Sequence, residues 1–103
     1  MMTVTVIGDA FIDIIVSIHE IKSGGTYQRA INIYCGCAAN VSVWISRLGK
    51  RANFVGMIGA DQFGDYFKND LKKERVKDLT IMSDKHPTGM CLSILDESMV
   101  REQ

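Results

Sequence analysis

The sequence lacks several features that mark specialised classes of protein. Its 12 basic and 12 acidic residues cancel, so it has no positive excess of the kind that binds nucleic acid or anionic membranes. The apolar opening has no basic region and carries Asp9 and Asp13, so we expect neither a signal peptide nor a membrane span. With one proline, no repeat and 103 residues, we expect one globular domain in the cytoplasm.

Cysteine and histidine are also scarce, and their spacing fits no common metal or redox motif. Cys35 and Cys37 are separated by one residue, which matches neither a zinc ligand pair nor a C-x-x-C dithiol, and Cys91 stands alone. His19 and His86 lie far apart in loop-like contexts. We therefore expect free thiols in a reducing compartment, solvated histidines and no metal site.

The most informative stretch runs from Cys35 to Gly64. It opens on small residues, which let a ligand approach the backbone where a helix begins. Apolar residues then recur at helical spacing, which predicts a helix that ends at Gly49. The residues expected to pack in the core are Val41, Trp44, Ile45 and Leu48. After a buried strand over 52–58, Asp61 is a good N-cap for a second helix over 62–74.

The rest of the chain reads mainly as strands. The predicted strands are 3–8, 11–18, 27–34, 79–82 and 90–95, with a hairpin turn at 96–98 and a return strand over 99–103. Helices between strands after residue 35 predict an α/β domain with a mainly parallel sheet, and the strands at 11–34 form a β excursion from it. Asp13 is a carboxylate in an otherwise apolar strand, which is costly unless it caps a turn or meets a polar ligand.

Three segments carry a family resemblance. They are Gly8-Asp9-Ala10-Phe11-Ile12-Asp13; Gly36-Cys37-Ala38-Ala39-Asn40-Val41-Ser42 followed by Gly49 and Gly59; and Gly59-Ala60-Asp61-Gln62-Phe63-Gly64 with the later Thr88-Gly89. In this order and spacing they resemble the N-terminal part of the PfkB/ribokinase family of carbohydrate kinases. The turn departs from the family pattern at Cys35 and Cys37, where glycine is usual.

The resemblance implies an α/β, Rossmann-like ribokinase fold, present as an N-terminal fragment of the parallel sheet with an inserted β lid. The chain would be one incomplete domain, residues 1–103. Its core would be 3–8 and 38–82, and its lid strands approximately 11–34 and 90–103. The implied sugar contacts are Asp13, the Gly36 backbone, Cys37 and Asn40, with Cys91 and Ser93 on the inner face of the lid strand.

The implied activity is ATP-dependent phosphorylation of a sugar or sugar-like alcohol. The family's base, anion hole and ATP pocket lie in its C-terminal part, so the resemblance implies no catalytic residue here and no binding of ATP or Mg²⁺ by this chain alone. A non-catalytic remnant that binds sugar or self-associates is the alternative. A nucleotide-binding Rossmann protein is a third, although Gly56, Gly59 and Gly64 do not form a G-x-G-x-x-G loop.

Two further expectations concern self-association and the role of Asn40. An unpaired sheet edge and open apolar surface predict a homodimer or larger species through that edge or through the lid strands. Without a family context, Asn40 at a helix start is an ordinary first-turn residue.

Overall fold

The computed structural model describes residues 2–17, 31–95 and 101–102. The chain divides into two compact units. The first unit comprises Met1–Ile12 with Cys35–Gly89, and the second comprises Asp13–Tyr34 with Met90–Gln103. Within the described ranges, no helix is long and apolar enough to cross a membrane.

Nine strands and two helices are assigned in these ranges. In chain order they are β1 (Thr3–Ile7), β2 (Phe11–Ser17), β3 (Ile31–Cys35), α1 (Cys37–Arg47), β4 (Arg51–Val55), β5 (Met57–Gly59), α2 (Gln62–Lys73), β6 (Lys77–Asp78), β7 (Ile81–Ser83), β8 (Gly89–Leu95) and β9 (Arg101–Glu102). Strands β1, β4 and β6 form a parallel sheet in that order, and β5 pairs with β7, also in parallel. The second unit carries the sheet order β3-β2-β8-β9. The α/β class with a parallel sheet is thus confirmed.

One face of the parallel sheet carries the core. Phe54 of β4 is almost fully buried, together with Phe67 and Leu71 of α2 and with Ile58 of the following strand β5. The Phe54 and Phe67 rings meet with centroids 5.4 Å apart. Each such side chain contributes about 1.5–3 kcal/mol on burial, so these residues hold α2 to the sheet.

Helix α1 lies beside α2 on this same face. The Ser46 hydroxyl donates to the Glu74 carbonyl at 2.8 Å, just past the end of α2. The Arg47 guanidinium makes two hydrogen bonds to the Glu74 carboxylate, at 2.6 and 3.0 Å. Both side chains of this bidentate ion pair lie at the surface, where ion pairs add little stability. We therefore expect the pair mainly to fix the position of α1 relative to α2.

The predicted inward face of α1 is wrong. Val41, Trp44 and Leu48 are exposed, at 53%, 60% and 76% of their surface, and point away from the sheet. Ile45 is half-buried. Spacing alone identified a stripe of large apolar residues, but it could not show which side of the helix the sheet occupies.

Small residues form the true inward face of α1. Ala39, Ser42 and Val43 are buried, so the helix backbone lies close to the sheet. The Ser42 hydroxyl donates to the Ala39 carbonyl at 2.7 Å, which satisfies the polar group that burial would otherwise leave unpaired. A serine at this position therefore behaves as a small core residue.

Other predicted boundaries agree with the structure to within a few residues. Helix α2 begins after the predicted N-cap, and the predicted strand 52–58 is divided into β4 and β5 at Gly56. Of the strand predicted at 79–82, residues 81–82 fall in β7, and the short strand β6 precedes the predicted range. The return strand is confirmed, since β9 pairs antiparallel with β8. The predictions for Ile18, for 27–30, for His19 and for the turn at 96–98 lie outside the described residues.

The two helices end differently. Gly49 follows α1 with φ of 90°, as the sequence predicts for a C′ glycine. Arg75 occupies the equivalent position after α2 with φ of 60°, and its N–H donates to the Lys72 carbonyl at 3.1 Å. A residue with a Cβ is disfavoured in this left-handed region by roughly 1–2 kcal/mol.

We therefore expect Arg75→Gly to stabilise the chain by about 1 kcal/mol, because glycine adopts this conformation without steric cost. Urea unfolding followed by circular dichroism measures the change. Lys72→Gly, placed inside the last turn of α2, is the matched control and should destabilise by about 1 kcal/mol. An equal loss of stability in both variants would contradict the assignment of strain to Arg75.

Candidate functional site

The start of α1 presents unpaired backbone donors. Gly36 is the N-cap residue, with φ of −81° and ψ of −172°; no side chain caps the helix, and its first turn contains no acidic residue. The Asn40 N–H already donates to the Gly36 carbonyl at 3.2 Å. The first N–H groups of a helix lack intrahelical acceptors and carry partial positive charge. This helix end can therefore donate hydrogen bonds to a hydroxyl or an anion.

Phe11 fixes the position of Gly36. The Gly36 N–H donates to the Phe11 carbonyl at 2.9 Å. A Cβ built on Gly36 would lie 2.5 Å from Cε2 of the Phe11 ring, so only glycine fits without a shift of the ring. Phe11 therefore keeps the turn before α1 free of side-chain bulk at this position.

Three of the predicted sugar contacts belong to this helix start. Gly36 is buried, Cys37 is the first residue of α1, and Asn40 is exposed in its first turn. The Asn40 amide can both donate and accept hydrogen bonds. The structure therefore places these three residues at one end of one helix, in the first unit.

The other three predicted contacts belong to the second unit. Asp13 is half-buried in β2, and the adjacent strand β8 carries Cys91, which is half-buried, and Ser93, which is 1% exposed. On the opposite face of β8, Met90 and Leu92 are more than half exposed. Strand β8 thus buries its small polar face and exposes its apolar face. Asp13 shares the sheet with Cys91 and Ser93.

The sequence predicted only one of the hydrogen-bonding roles of Asp61. The N-cap role of Asp61 is confirmed, since Oδ1 accepts from the Gly64 N–H at 2.8 Å. The same oxygen accepts from the Thr88 hydroxyl at 2.7 Å, and Oδ2 accepts from the Thr88 N–H at 2.8 Å. Thr88 Oγ1 in turn accepts from the Gly59 N–H at 2.9 Å. Both carboxylate oxygens are occupied, which makes Asp61 a positioning residue.

The Asp61 cluster ties the start of α2 to the residue before β8. Gly64 is required there, because a Cβ on it would lie 2.3 Å from the Gly59 carbonyl oxygen. The spacing of Gly59, Asp61 and Gly64 was visible in the sequence. Nothing in the local pattern connected it with Thr88, which lies 27 residues from Asp61.

Hydrogen bonds lower the pKa of Asp61. The Thr88 hydroxyl is the main cause, followed by the Thr88 and Gly64 N–H groups, all of which stabilise the ionised carboxylate. Because the folded-state pKa is the lower one, this contribution is fully present above the unfolded pKa of about 3.9. It is lost as the pH falls through the lower, folded pKa.

We expect Asp61→Asn to destabilise the chain at pH 7 and to reduce the loss of stability on acidification below about pH 4. Urea midpoints at pH 7, 4 and 3 measure both effects. Asp65→Asn, an exposed position in the same turn of α2, is the control and should leave the acid dependence unchanged. If Asp61→Asn retained the acid dependence of the parent chain, the cluster would not be its source.

Two open clefts lie at the other end of the parallel sheet. The larger, of about 410 Å³, is lined mainly by residues from the end of α2 and from β6. The smaller, of about 300 Å³, lies beside the first residues of β1 and β4. Lys68 and Lys72 lie in the C-terminal half of α2, and the other basic residues of the clefts follow a helix C-terminus, where cations complement the helix dipole. Across the described part of the chain, no three His, Cys, Asp or Glu side chains are grouped as metal ligands.

Known proteins resemble this chain in sequence and in structure. Residues 1–102 match the pfkB family of carbohydrate kinases. The chain is 35% identical over 96 residues to a fructokinase of Salmonella typhimurium, covering 91% of this chain and 28% of that enzyme. It is 31% identical over 77 residues to a 2-dehydro-3-deoxygluconokinase of Bacillus subtilis, covering 73% of this chain and 22% of that enzyme.

A solved structure agrees with these relatives. The fructokinase of Xylella fastidiosa, crystallised with bound ATP, superposes with a TM-score of 0.81 at 28% identity, over 97% of this chain and 31% of that one. The chain thus spans less than a third of the length of each of these proteins. Since the family match extends over almost every residue, the chain belongs to the pfkB family of carbohydrate kinases.

Proposed function

We propose that this chain is the substrate-binding part of a cytoplasmic, ATP-dependent sugar kinase. The observation that carries the proposal is the uncapped start of α1, at the position where the family resemblance implies sugar contacts. An uncapped helix start bordered by glycine suits a ligand with hydroxyl groups. The names of two relatives indicate ketose and keto-acid sugars as the substrate class to test.

The geometry refines the role of Gly36. Its own N–H donates to Phe11, so it is not free to bind a ligand. We infer that Gly36 contributes a bare backbone surface, and that the free N–H groups are those of Cys37, Ala38 and Ala39. Asn40 would add a side-chain donor and acceptor one turn into the helix.

The family resemblance implies the remaining contacts, which are residues of the second unit. The Asp13 carboxylate has two acceptor oxygens, each able to take a hydrogen bond from a sugar hydroxyl. Cys91 and Ser93 are small residues on a neighbouring strand, and we assign them to shaping the space beside the sugar. Their small size would leave room for the substrate and influence which sugar fits.

ATP and Mg²⁺ would act in the complete enzyme, supplying the phosphoryl group and neutralising its charge. We assign neither to a residue of this chain, and we propose that the chain alone does not turn over. A coupled assay of ATP consumption over a panel of sugars tests this point. Stoichiometric turnover by the chain alone would contradict it.

A non-catalytic, self-associating chain remains the second candidate. The exposed Met90 and Leu92 on one face of β8 favour association through the lid strands. We therefore expect a dimer or larger species that Leu92→Lys weakens, as measured by sedimentation velocity. A parent chain that sediments as a monomer at all concentrations would rule this out.

Sugar binding distinguishes the two candidates. We expect Asp13→Asn to weaken binding of fructose or 2-dehydro-3-deoxygluconate by tenfold or more, because hydrogen bonds to a charged group contribute about 1.5–3 kcal/mol. Titration calorimetry measures the change. Asp9→Asn is the matched control, since Asp9 is an exposed aspartate four residues earlier, and it should change affinity by less than twofold. Equal losses of affinity in the two variants would contradict the proposal that Asp13 contacts the sugar.

A further inference from the structure

The larger of the two clefts lies between the end of α2 and strand β6, and we call it the α2–β6 cleft. Its volume of about 410 Å³ falls within the range typical of small-molecule sites. Its charged lining consists of one carboxylate, Asp78, and four basic residues, which are Lys68, Lys72, Arg75 and Lys77. Because the whole chain has no net charge, this excess of positive charge is a local feature.

The carboxylate does not neutralise the cleft. Asp78 is paired with Lys68, whose Nζ lies 3.5 Å from Oδ2. Within the described ranges, no ion pair or side-chain hydrogen bond involves Lys72, Arg75 or Lys77. The α2–β6 cleft therefore keeps three cations that the described part of the chain does not balance.

Arg75 lies in the turn that ends α2, where the backbone conformation favours glycine. Its N–H donates to the Lys72 carbonyl at 3.1 Å, and the Val76 N–H donates to the Leu71 carbonyl at 2.9 Å. These two hydrogen bonds define a Schellman motif, in which the residue after the helix is left-handed. Arg75 is that residue, with φ of 60°. The turn thus holds Arg75 at the wall of the cleft despite a steric cost.

Helix α1 ends in the same motif without that cost. The Gly49 N–H donates to the Ser46 carbonyl at 3.0 Å, and the Lys50 N–H donates to the Ile45 carbonyl at 3.2 Å. Glycine serves as the left-handed residue there, so ending the helix requires no arginine. Residues held in a disfavoured backbone conformation cluster at ligand clamps and other functional sites. The comparison therefore points to a use for the Arg75 side chain.

The dipole of α2 explains only part of this basic surface. It stabilises cations in and next to the last turn, and it favours Lys72 and Lys73 alike. Its effect falls off beyond that turn, where Lys77 lies, and is usually smaller than the steric cost at Arg75. Arg75 and Lys77 also line the smaller cleft, together with Arg51. A ligand accounts for these residues where the dipole does not.

We propose that the α2–β6 cleft binds a small anion that carries a diphosphate group. The guanidinium of Arg75 matches two phosphate oxygens, and Lys72 and Lys77 act as point charges. A single phosphate group carries about two negative charges near pH 7 and a diphosphate carries more, so three unpaired cations suit a diphosphate.

This site is separate from the candidate sugar site. The start of α1 lies near the carboxyl end of β1, since a Cβ built on Gly8 would lie 2.6 Å from the Ala38 Cβ. The clefts lie at the amino ends of the same strands, where the smaller one is lined by Thr3 and Arg51. The proposal therefore does not depend on the proposed function.

The test is a titration of the ¹⁵N-labelled full chain with inorganic pyrophosphate, followed by amide NMR. We expect saturable shifts at Lys72, Arg75 and Lys77, and no such shifts with sodium chloride at the same ionic strength. We expect Arg75→Gly and Lys72→Ala each to weaken binding about tenfold, because each removes a charged hydrogen-bond donor. Because Arg75→Gly also relieves the left-handed strain, its loss of binding would not reflect unfolding.

Lys73→Ala is the matched control. It removes the same charge from the same turn of α2, but Lys73 does not line the cleft. We expect it to change the affinity by less than about twofold, since a charge outside the cleft makes no hydrogen bond to the ligand. Equal weakening by Lys73→Ala and Lys72→Ala would overturn the proposal, because net charge alone would then explain the binding.

Shifts that sodium chloride reproduces, or that do not saturate, would also overturn it. A parallel titration with ADP distinguishes the two sources of a diphosphate group. Binding of ADP as tight as that of pyrophosphate supports a site that accepts diphosphate esters, whereas much weaker binding of ADP supports a site for the free inorganic anion. Pyrophosphate can bind where fructose does not, and the reverse, so failure of the proposed function is a separate result.

Discussion

The close approach of Phe11 to Gly36 is the contact on which the candidate site depends. The Phe11 carbonyl holds the Gly36 N–H, and its ring fills the space that a Cβ would need. The turn before α1 is therefore bare at Gly36, and the first free N–H groups of the helix follow immediately. A larger residue at position 36 would have to displace the ring, at a typical overpacking cost of about 1–3 kcal/mol.

The two faces of the parallel sheet differ in how far their side chains are buried. Phe54, Phe67 and Leu71 give the covered face a dense core. On the opposite face, Ile7 is 77% exposed, Met57 56% and Ile81 57%. The well-packed face thus carries α1, whose start is the candidate site, and the other face exposes apolar side chains.

Sequence reasoning predicted much of this architecture because its signals were local. The N-cap at Asp61, the C′ glycine after α1 and the run of strands each depend on a few neighbouring residues. The inward face of α1 was mispredicted because the helix packs on the sheet through small residues such as Ser42, while the larger Trp44 is exposed. The hydrogen bond from Thr88 to Asp61 could not be predicted from local patterns, because the two residues are 27 positions apart and meet only in the folded chain.

The roles of the six candidate residues came from the family resemblance and not from their geometry. The structure adds that the Gly36 N–H donates to Phe11, which is why we propose the next residues of α1 as the donors. Asp13 lies in a different unit from Asn40. A binding experiment therefore has to follow residues of each unit separately.

The most direct measurement is a titration of the ¹⁵N-labelled chain with fructose, followed by amide NMR. We expect the largest shifts at Cys37, Ala38, Ala39 and Asp13, with no change at Lys72 or Lys77 beside the clefts at the other end of the sheet. No shifts at any sugar concentration, or shifts confined to those clefts, would contradict the assignment of a sugar site to the start of α1.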